Sequence, residues 1–238
     1  MLDIDCFASG STGNLYRVDD GRTRILIECG VGLKEIQKHL GFSLSACAAC
    51  LITHEHKDHS KAVKDLLLRG VPCYMSRGTA QALQAEEEPC VEIIADKETR
   101  RIGSWNVTAF GVQHDAKEPL GFLLDNGEDR VLYATDTYYL RYRFPPCTVL
   151  LVECNHSYEI VDRRVKEGKL DRTLAKRLVK SHMSLENFIE FLQANDLTKV
   201  RQIYLLHLSD GNSDAEGFKR RVQQETGAEV YIAQGRVL

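Results

Sequence analysis

The sequence has no run of about 18 consecutive apolar residues, as a helix that crosses a bilayer requires. Its first residues, Met1-Leu2-Asp3-Ile4-Asp5, carry acids where a secretion signal carries basic residues, and no apolar segment follows them. It also has no linker, low-complexity stretch or internal repeat. We therefore expect a cytoplasmic protein whose residues 1–238 form one domain, and a hydrophobic fraction of 43% is enough to build its core.

Two further features are missing, and each excludes a kind of chemistry. No serine lies in a Gly-x-Ser-x-Gly setting, so a serine nucleophile is not expected. The eight cysteines lie mostly in apolar segments such as Ile25–Cys29, where they are typical of small buried side chains in a reducing compartment. The pair Cys47 and Cys50 has the spacing of half a zinc or redox site, but no second cysteine pair accompanies it.

A large net charge is also lacking, since the formal value is only -3. The distribution is uneven, because residues 161–180 carry eight Lys or Arg and three Asp or Glu, a local excess of 8 − 3 = +5. This stretch includes Arg172, Lys176 and Arg177. It indicates a face that binds phosphate, and a solvated helical face is the alternative interpretation.

Apolar runs and turn residues predict an alternation of strands and helices. Strands are predicted early at 3–7, 15–18, 24–29 and 48–53. Ser60 is predicted to cap a helix that runs to about Arg69. Strand-rich blocks in both halves, each closed by helices, predict two sheets packed together with helices outside. The expected fold class is therefore α/β, a four-layer αββα sandwich.

The most informative segment is Thr53-His54-Glu55-His56-Lys57-Asp58-His59, which has the pattern H-x-H-x-D-H. Imidazole nitrogens and carboxylate oxygens are the usual ligands of zinc and manganese. His54 and His56 lie two residues apart, so an extended backbone would direct both to the same side. Asp58 and His59 follow a turn and could serve a neighbouring ion. The alternative is a polar helix start with Asp58 as the capping residue.

Four more ligand-type residues lie at the ends of predicted elements. His114, Asp136 and His207 each follow an apolar strand, and His182 lies just before a helix. Taken singly, each is typical of a hydrogen-bonded loop residue. Taken together, in chain order behind the histidine motif, they predict a site for two metal ions.

Several short pieces of the sequence carry a resemblance to a known family. The sequence resembles the metallo-β-lactamase fold superfamily, and within it the YycJ/WalJ-like bacterial exonucleases, over almost its whole length. The last two histidine motifs also resemble those of the tRNA 3′-processing endonucleases. The pieces concerned are Ser9-Gly10-Ser11-x-Gly13-Asn14, His114-Asp115-Ala116-x-x-Pro119-x-Gly121-Phe122, Ala134-Thr135-Asp136-Thr137, Glu153-x-Asn155-His156 and His182-Met183-Ser184-x-Glu186-Asn187.

This resemblance implies a set of metal ligands. His54, His56 and His114 would bind one divalent ion, zinc or manganese. The second ion would be bound by Asp58, His59 and His207, and Asp136 would bridge the two. Two such ions activate a water for attack on a phosphodiester.

The resemblance also implies roles next to the metals. The catalytic residues would be Asp58, His182 and Glu153. His182 would protonate the leaving oxygen, and Glu153 would orient the ring of His182. Asn155 and His156 would bind phosphate or orient a ligand, and a structural hydrogen bond is the alternative for His156.

Three functions are weighed from the sequence. The first is a metal-dependent phosphodiesterase on nucleic acid, a DNA exonuclease, supported by the family motifs and by the basic stretch before His182. The second is a small-molecule hydrolase, such as a thioesterase, lactonase or cyclic-nucleotide phosphodiesterase, favoured by the lack of an added nucleic-acid domain. A non-catalytic protein with a retained metal site is the third, and no ligand is missing to support it.

Overall fold

A computed structural model describes residues 2–233, and the chain divides into two compact units. The first unit comprises the residues up to Gly111 together with Ala116–Glu128, and the second comprises Val112–Asp115 and Asp129–Ala233. The single domain expected from the sequence stays a prediction.

A six-stranded sheet forms the larger part of the first unit. Its first three strands are antiparallel, and the remaining strands continue the sheet in parallel, in chain order. Strand β4, inside the parallel part, has only apolar residues, and four of its five residues are buried. The strands are β1 (Asp3–Ala8), β2 (Leu15–Asp19), β3 (Arg24–Ile27), β4 (Cys47–Leu51), β5 (Cys73–Met75) and β6 (Val91–Ile93).

Short helices connect these strands, and one differs from the prediction. Ser60 was expected to start a helix, but it ends α2 and donates its hydroxyl to the carbonyls of Glu55 at 2.8 Å and His56 at 3.0 Å. A hydroxyl bound to preceding carbonyls does not cap the next helix, and α3 begins three residues later. The helices are α1 (Leu33–His39), a 3₁₀ turn (Leu44–Ala46), α2 (Lys57–Ser60), α3 (Val63–Leu67) and α4 (Arg77–Ala82).

Three antiparallel strands complete the first unit: β7 (Thr99–Ile102), β8 (Trp105–Gly111) and β9 (Leu120–Asp125). Strand β7 was not predicted, because its sequence is charged and its first three residues are exposed. Asp20 ties this part to the β2–β3 turn, since its carboxylate accepts from Ser104 Oγ at 2.6 Å and from Asn126 Nδ2 at 3.1 Å.

The second unit is built on four parallel strands flanked in sequence by helices. The central strand β11 is buried at all five residues. Its strands are β10 (Arg130–Ala134), β11 (Val149–Glu153), β12 (Gln202–Leu206) and β13 (Glu229–Ile232), which pair in that order. The helices are α5 (Tyr158–Lys166), α6 (Arg172–Ser181), α7 (Leu185–Ala194) and α8 (Ala215–Thr226). Parallel strands place their carboxyl ends at one edge, which is where α/β proteins bind ligands.

The cysteines are all free, and the described structure gives Cys47 and Cys50 no redox character. Burial raises the pKa of Cys47 to about 11 and the pKa of Cys50 well above its usual value. A thiol that stays protonated is a poor nucleophile and a poor metal ligand. Both side chains are therefore part of the core, as most cysteines were expected to be.

The helices of residues 2–233 were compared with the length and hydropathy that a membrane-spanning helix needs. No helix in this range is long and apolar enough to cross a bilayer, and α8, with 12 residues, is the longest.

Candidate metal centre

His54 and His56 lie on the extended segment between β4 and α2. Nε2 of His54 is 3.1 Å from Nδ1 of His56. Two nitrogens bound to one tetrahedral zinc would be about 3.3 Å apart, given Zn–N bonds of about 2.0–2.1 Å. Thr53 Oγ1 lies 2.9 Å from Nδ1 of His54, so Nε2 is the nitrogen that faces His56. The donors of this pair fit a divalent metal.

Asp58 and His59 lie in the first turn of α2. Helix α2 has His56 at its N-cap without a side-chain capping bond, so Asp58 is not the capping residue that the alternative interpretation required. Oδ2 of Asp58 is 3.5 Å from Nε2 of His59, whose side chain is fully buried. These two atoms form a second pair of converging donors within the first unit.

Glu28 is a site residue that the sequence analysis missed. It is fully buried directly after β3, in the left-handed region at φ 65°, and its Oε1 is 3.3 Å from Nδ1 of His59. The same oxygen accepts from Thr53 Oγ1 at 2.6 Å. Glu28 therefore orients two parts of the histidine motif. The signal in the sequence is an acid at the end of the apolar run Ile25-Leu26-Ile27.

In the second unit, Asp136 lies between two imidazoles. Its Oδ2 is 3.4 Å from Nε2 of His114, and its Oδ1 is 3.8 Å from Nδ1 of His207. Oδ1 is also 3.8 Å from Nδ1 of His182, so the carboxylate faces a third imidazole. Burial lowers the pKa of His114, although Asp136 and Asp115 act in the opposite direction. The neutral imidazole that results is the form that binds metal.

Two of these residues have a strained backbone. Asp136 at φ 48° follows β10 and His207 at φ 51° follows β12. Residues with a Cβ rarely adopt this left-handed region, and those that do cluster at functional sites. The strain supports the assignment of both strand ends to a site.

His182 and Glu153 form a close pair. Nδ1 of His182 is 2.7 Å from Oε1 of Glu153, which is fully buried. The other oxygen of Glu153 accepts from the backbone N–H groups of Thr137 at 3.1 Å and Met183 at 3.2 Å. Burial opposes the charged imidazolium, but Glu153 and Asp136 outweigh it and raise the pKa of His182. Nδ1 of His182 contacts Glu153, so Nε2 of His182 is the nitrogen that can interact with another group.

Four ligand-type groups of the second unit converge, with one atom of each within 4.8 Å of the others: Asp136, Glu153, His182 and His207. Both oxygens of Glu153 and Nδ1 of His182 are engaged in hydrogen bonds. These hydrogen bonds hold the side chains of Glu153 and His182 in place.

The positions of Asn155 and His156 do not match the prediction that these residues contact phosphate. Asn155 is buried and donates from Nδ2 to the backbone oxygen of His207 at 2.6 Å, so it positions His207. His156 is also buried, and burial lowers its pKa to about 4. Among the described residues its ring nitrogens have no hydrogen-bond partner. The structure gives neither residue a surface that a substrate could contact.

The basic residues of α6 divide into two groups. Arg177 lines a cavity of about 440 Å³ beside His114 and pairs with Asp115 at 3.1 Å. Arg172 and Lys176 are exposed and do not line this cavity. Lys180, which was not among the predicted substrate residues, does line it.

Comparison with solved structures defines the class of protein. The metallo-β-lactamase fold protein YhfI from Bacillus subtilis matches with a TM-score of 0.76 and 17% identity, covering 98% of this chain and 97% of that protein. Zinc-bound PqqB from Methylobacterium extorquens matches with a TM-score of 0.67 and 17% identity, covering 94% and 86%. The predicted metallo-β-lactamase fold is confirmed, and the His and Asp groups within it indicate binding of divalent metal.

The family is shown by the sequence itself. The model of the beta-lactamase superfamily domain matches residues 23–208, and the chain belongs to this superfamily as a metal-dependent hydrolase. Exodeoxyribonuclease YycJ of Bacillus anthracis is 26% identical over 94% of this chain and 88% of its own length. Exodeoxyribonuclease WalJ of Streptococcus pneumoniae is 28% identical over 88% of this chain and 82% of its own length. The predicted resemblance is thereby confirmed.

Proposed function

We propose that this protein is a metal-dependent phosphodiesterase that cleaves nucleic acid, and specifically a DNA exonuclease. The observation that carries the proposal is the His182–Glu153 pair, a proton donor held at 2.7 Å from a buried carboxylate beside ligand-type groups. A thioester releases a thiolate, which needs a proton donor less than the much more basic 3′- or 5′-oxygen of a nucleotide does. The names of the two exodeoxyribonuclease relatives, which align over most of the chain, support the same substrate class.

The ligand assignment follows from the resemblance and from the donor pairs described above. His54, His56 and His114 are assigned to one zinc or manganese ion. Asp58, His59 and His207 are assigned to the second, and Asp136 to both. When bound, the two ions supply an activated water and stabilise the charge on the phosphoryl group.

The residues of the chain supply the proton transfer. Glu153 raises the pKa of His182 through its contact with Nδ1, and we assign to Nε2 the donation of a proton to the leaving oxygen of the cleaved phosphodiester. The same bond fixes the ring, which is stacked on His207 at a centroid distance of 5.4 Å. Such a general acid contributes about 10²–10⁴-fold to the rate.

A gel assay on 5′- and 3′-labelled DNA and RNA, single- and double-stranded, tests the proposal. Added manganese or zinc is expected to shorten DNA progressively from one end. Asp58→Ala and His59→Ala are expected to abolish the shortening, and Asp65→Ala on the exposed face of α3 serves as the matched control. Intact nucleic acid, with bound metal confirmed by elemental analysis, would contradict the nuclease function.

The second candidate is a small-molecule hydrolase on the same residues. It is favoured by the charge of the chain outside residues 161–180, which is −3 − 5 = −8. A turnover screen on thioesters, cyclic nucleotides and labelled DNA separates the two candidates, since a nuclease requires cleavage of the DNA and a small-molecule hydrolase requires turnover of a small ester.

A further inference from the structure

The segment after Asp136 interleaves aromatic and basic side chains. It reads Tyr138-Tyr139-Leu140-Arg141-Tyr142-Arg143, and we call it the aromatic–basic segment. Tyr138 is 38% exposed and Tyr139 is 40% exposed, although tyrosine rings usually bury most of their area. Neighbouring exposed rings next to a site are typical of a surface that binds another molecule.

The backbone of this segment is held in place. Asn187 Nδ2 donates to the backbone oxygen of Tyr138 at 2.8 Å, and Thr137 Oγ1 donates to that of Tyr139 at 3.0 Å. Leu140 is buried between the exposed residues. The two rings are therefore presented from an anchored backbone, which lowers the entropy cost of stacking on them.

Arg141 is oriented by a neutral partner. With the Gln113 amide turned so that its oxygen faces the guanidinium, Oε1 accepts from Nε of Arg141 at 2.8 Å, and the amide nitrogen donates to the Tyr138 hydroxyl. Gln113 precedes the ligand His114 in the chain. The described residues give Arg141 no carboxylate partner, so its charge remains available to an anion.

Lys180 adds a second cation from α6. It lines the cavity of about 440 Å³ beside Tyr138 and His114, and it has no ion pair within the described residues. Arg177 lines the same cavity, but its charge is balanced by Asp115 at 3.1 Å. The cavity wall thus combines one exposed ring with one unbalanced ammonium group.

We propose that the aromatic–basic segment and Lys180 bind an unpaired end of the nucleic-acid substrate. Bases stack on Tyr138 and Tyr139, and phosphates contact Arg141 and Lys180. Rings that alternate with cations are the pattern by which proteins hold single strands without reading their sequence. A small ester without bases would use none of the stacking surface. The inference rests on the proposed nuclease function and names the form of its substrate.

The test measures binding separately from cleavage. The full chain with Asp58→Ala is titrated in metal-containing buffer with a fluorescent 12-residue oligothymidylate. It is also titrated with an abasic phosphodiester chain of equal length. Tyr138→Ala and Tyr139→Ala are each expected to weaken oligothymidylate binding about ten-fold and to leave the abasic chain within two-fold. Lys180→Ala is expected to weaken both and to lower the salt slope by about 1.

Matched controls are available in the same unit. Tyr231 is also 38% exposed, and Lys199 is an exposed lysine that does not line the cavity, so Tyr231→Ala and Lys199→Ala are expected to change neither affinity. Equal losses on both ligands for the tyrosine variants, or no loss, would overturn the stacking surface. An equal loss on a blunt duplex would overturn its preference for unpaired ends.

The two proposals fail in different ways. If the wild-type protein cuts DNA and the tyrosine variants bind normally, only the binding surface is wrong. If the variants lose oligothymidylate binding as expected while the wild-type protein cuts no nucleic acid, the surface stands and the nuclease function is wrong.

Discussion

At the scale of single residues, Glu153 is the group on which the chemistry of His182 depends. It is fully buried, and its charge is balanced by His182 and by two backbone N–H groups. Burial would raise its pKa, but His182 overrides burial and keeps the pKa of Glu153 low. The carboxylate therefore stays charged and stabilises a protonated imidazole.

We expect Glu153→Gln to separate proton donation from metal binding. The amide keeps the size of the side chain but removes the charge that stabilises the imidazolium, so turnover should fall by about 10²–10⁴-fold, the usual contribution of a general acid. Metal content per chain, measured by elemental analysis, should stay unchanged. A loss of metal as large as that of His207→Ala would instead make Glu153 a ligand.

Glu28 has an equivalent role for His59. Its Oε1 lies 3.3 Å from Nδ1 of His59 and orients the ring, whose Nε2 faces Nδ2 of Asn14 at 3.1 Å and Oδ2 of Asp58 at 3.5 Å. We expect Glu28→Gln to weaken metal binding by about 10–100-fold, as is common when a carboxylate behind a histidine ligand is lost. Competition with a chromogenic chelator measures this, with the exposed Glu87→Gln as control. Equal affinities for the two variants would show that Glu28 does not act through His59.

At the scale of elements, Asp20 joins turns that are far apart in the sequence. Its carboxylate accepts from Thr23 N at 2.8 Å, Ser104 Oγ at 2.6 Å and Asn126 Nδ2 at 3.1 Å. Burial raises the pKa of Asp20, but the hydrogen bonds outweigh burial, and the pKa of Asp20 lies well below its usual value. Asp20 thus stabilises the folded state only while it is ionised.

We expect Asp20→Asn to destabilise the protein by about 1–3 kcal/mol at neutral pH, because hydrogen bonds to a buried carboxylate are lost. A carboxyl group whose pKa is lower in the folded state than in the unfolded state stabilises the fold at pH values above the unfolded pKa of about 3.9. This stabilisation is lost as the pH falls below that unfolded pKa. The difference in urea midpoint between the variant and the wild type should therefore shrink from pH 7 to pH 3. A difference that stays constant, or one matched by the exposed Asp65→Asn, would contradict this role.

At the scale of the whole molecule, burial of the proposed ligand groups lowers the free energy of unfolding, and bound metal would offset this loss. His54, His59, Asp136 and His207 are all buried. Binding to the folded state alone stabilises by about 4 kcal/mol at a metal concentration 1,000-fold above the Kd. For a chain of this size that corresponds to about 8–16 °C in Tm.

We therefore expect removal of metal by a chelator to lower Tm by several degrees and re-addition of zinc or manganese to restore it. Differential scanning fluorimetry measures both steps. Asp136→Ala, which loses the proposed bridging ligand, should respond far less than the wild type to either metal. A wild-type Tm that does not depend on metal would argue against the site.

Most strands and helices were predictable, because their signals are local. Strands predicted from apolar runs at 3–7, 15–18, 24–29 and 48–53 are found as β1 to β4. Strand β7 has no such run, since its first three side chains face solvent and pairing with β8 stabilises it. The helix expected after Ser60 failed for a related reason, as its hydroxyl found nearer partners in preceding carbonyls.

The sequence by itself determined the chemistry of this protein. Imidazoles and carboxylates at strand ends restrict it to metal binding, and motif order identifies its superfamily. Only the tertiary structure decided which atoms face inward and which residues support them. Glu28 reaches His59 across 31 positions, and Gln113 reaches Arg141 across 28. Contacts at such separations depend on how the strands pair and where their ends meet, and no local pattern in the chain encodes them.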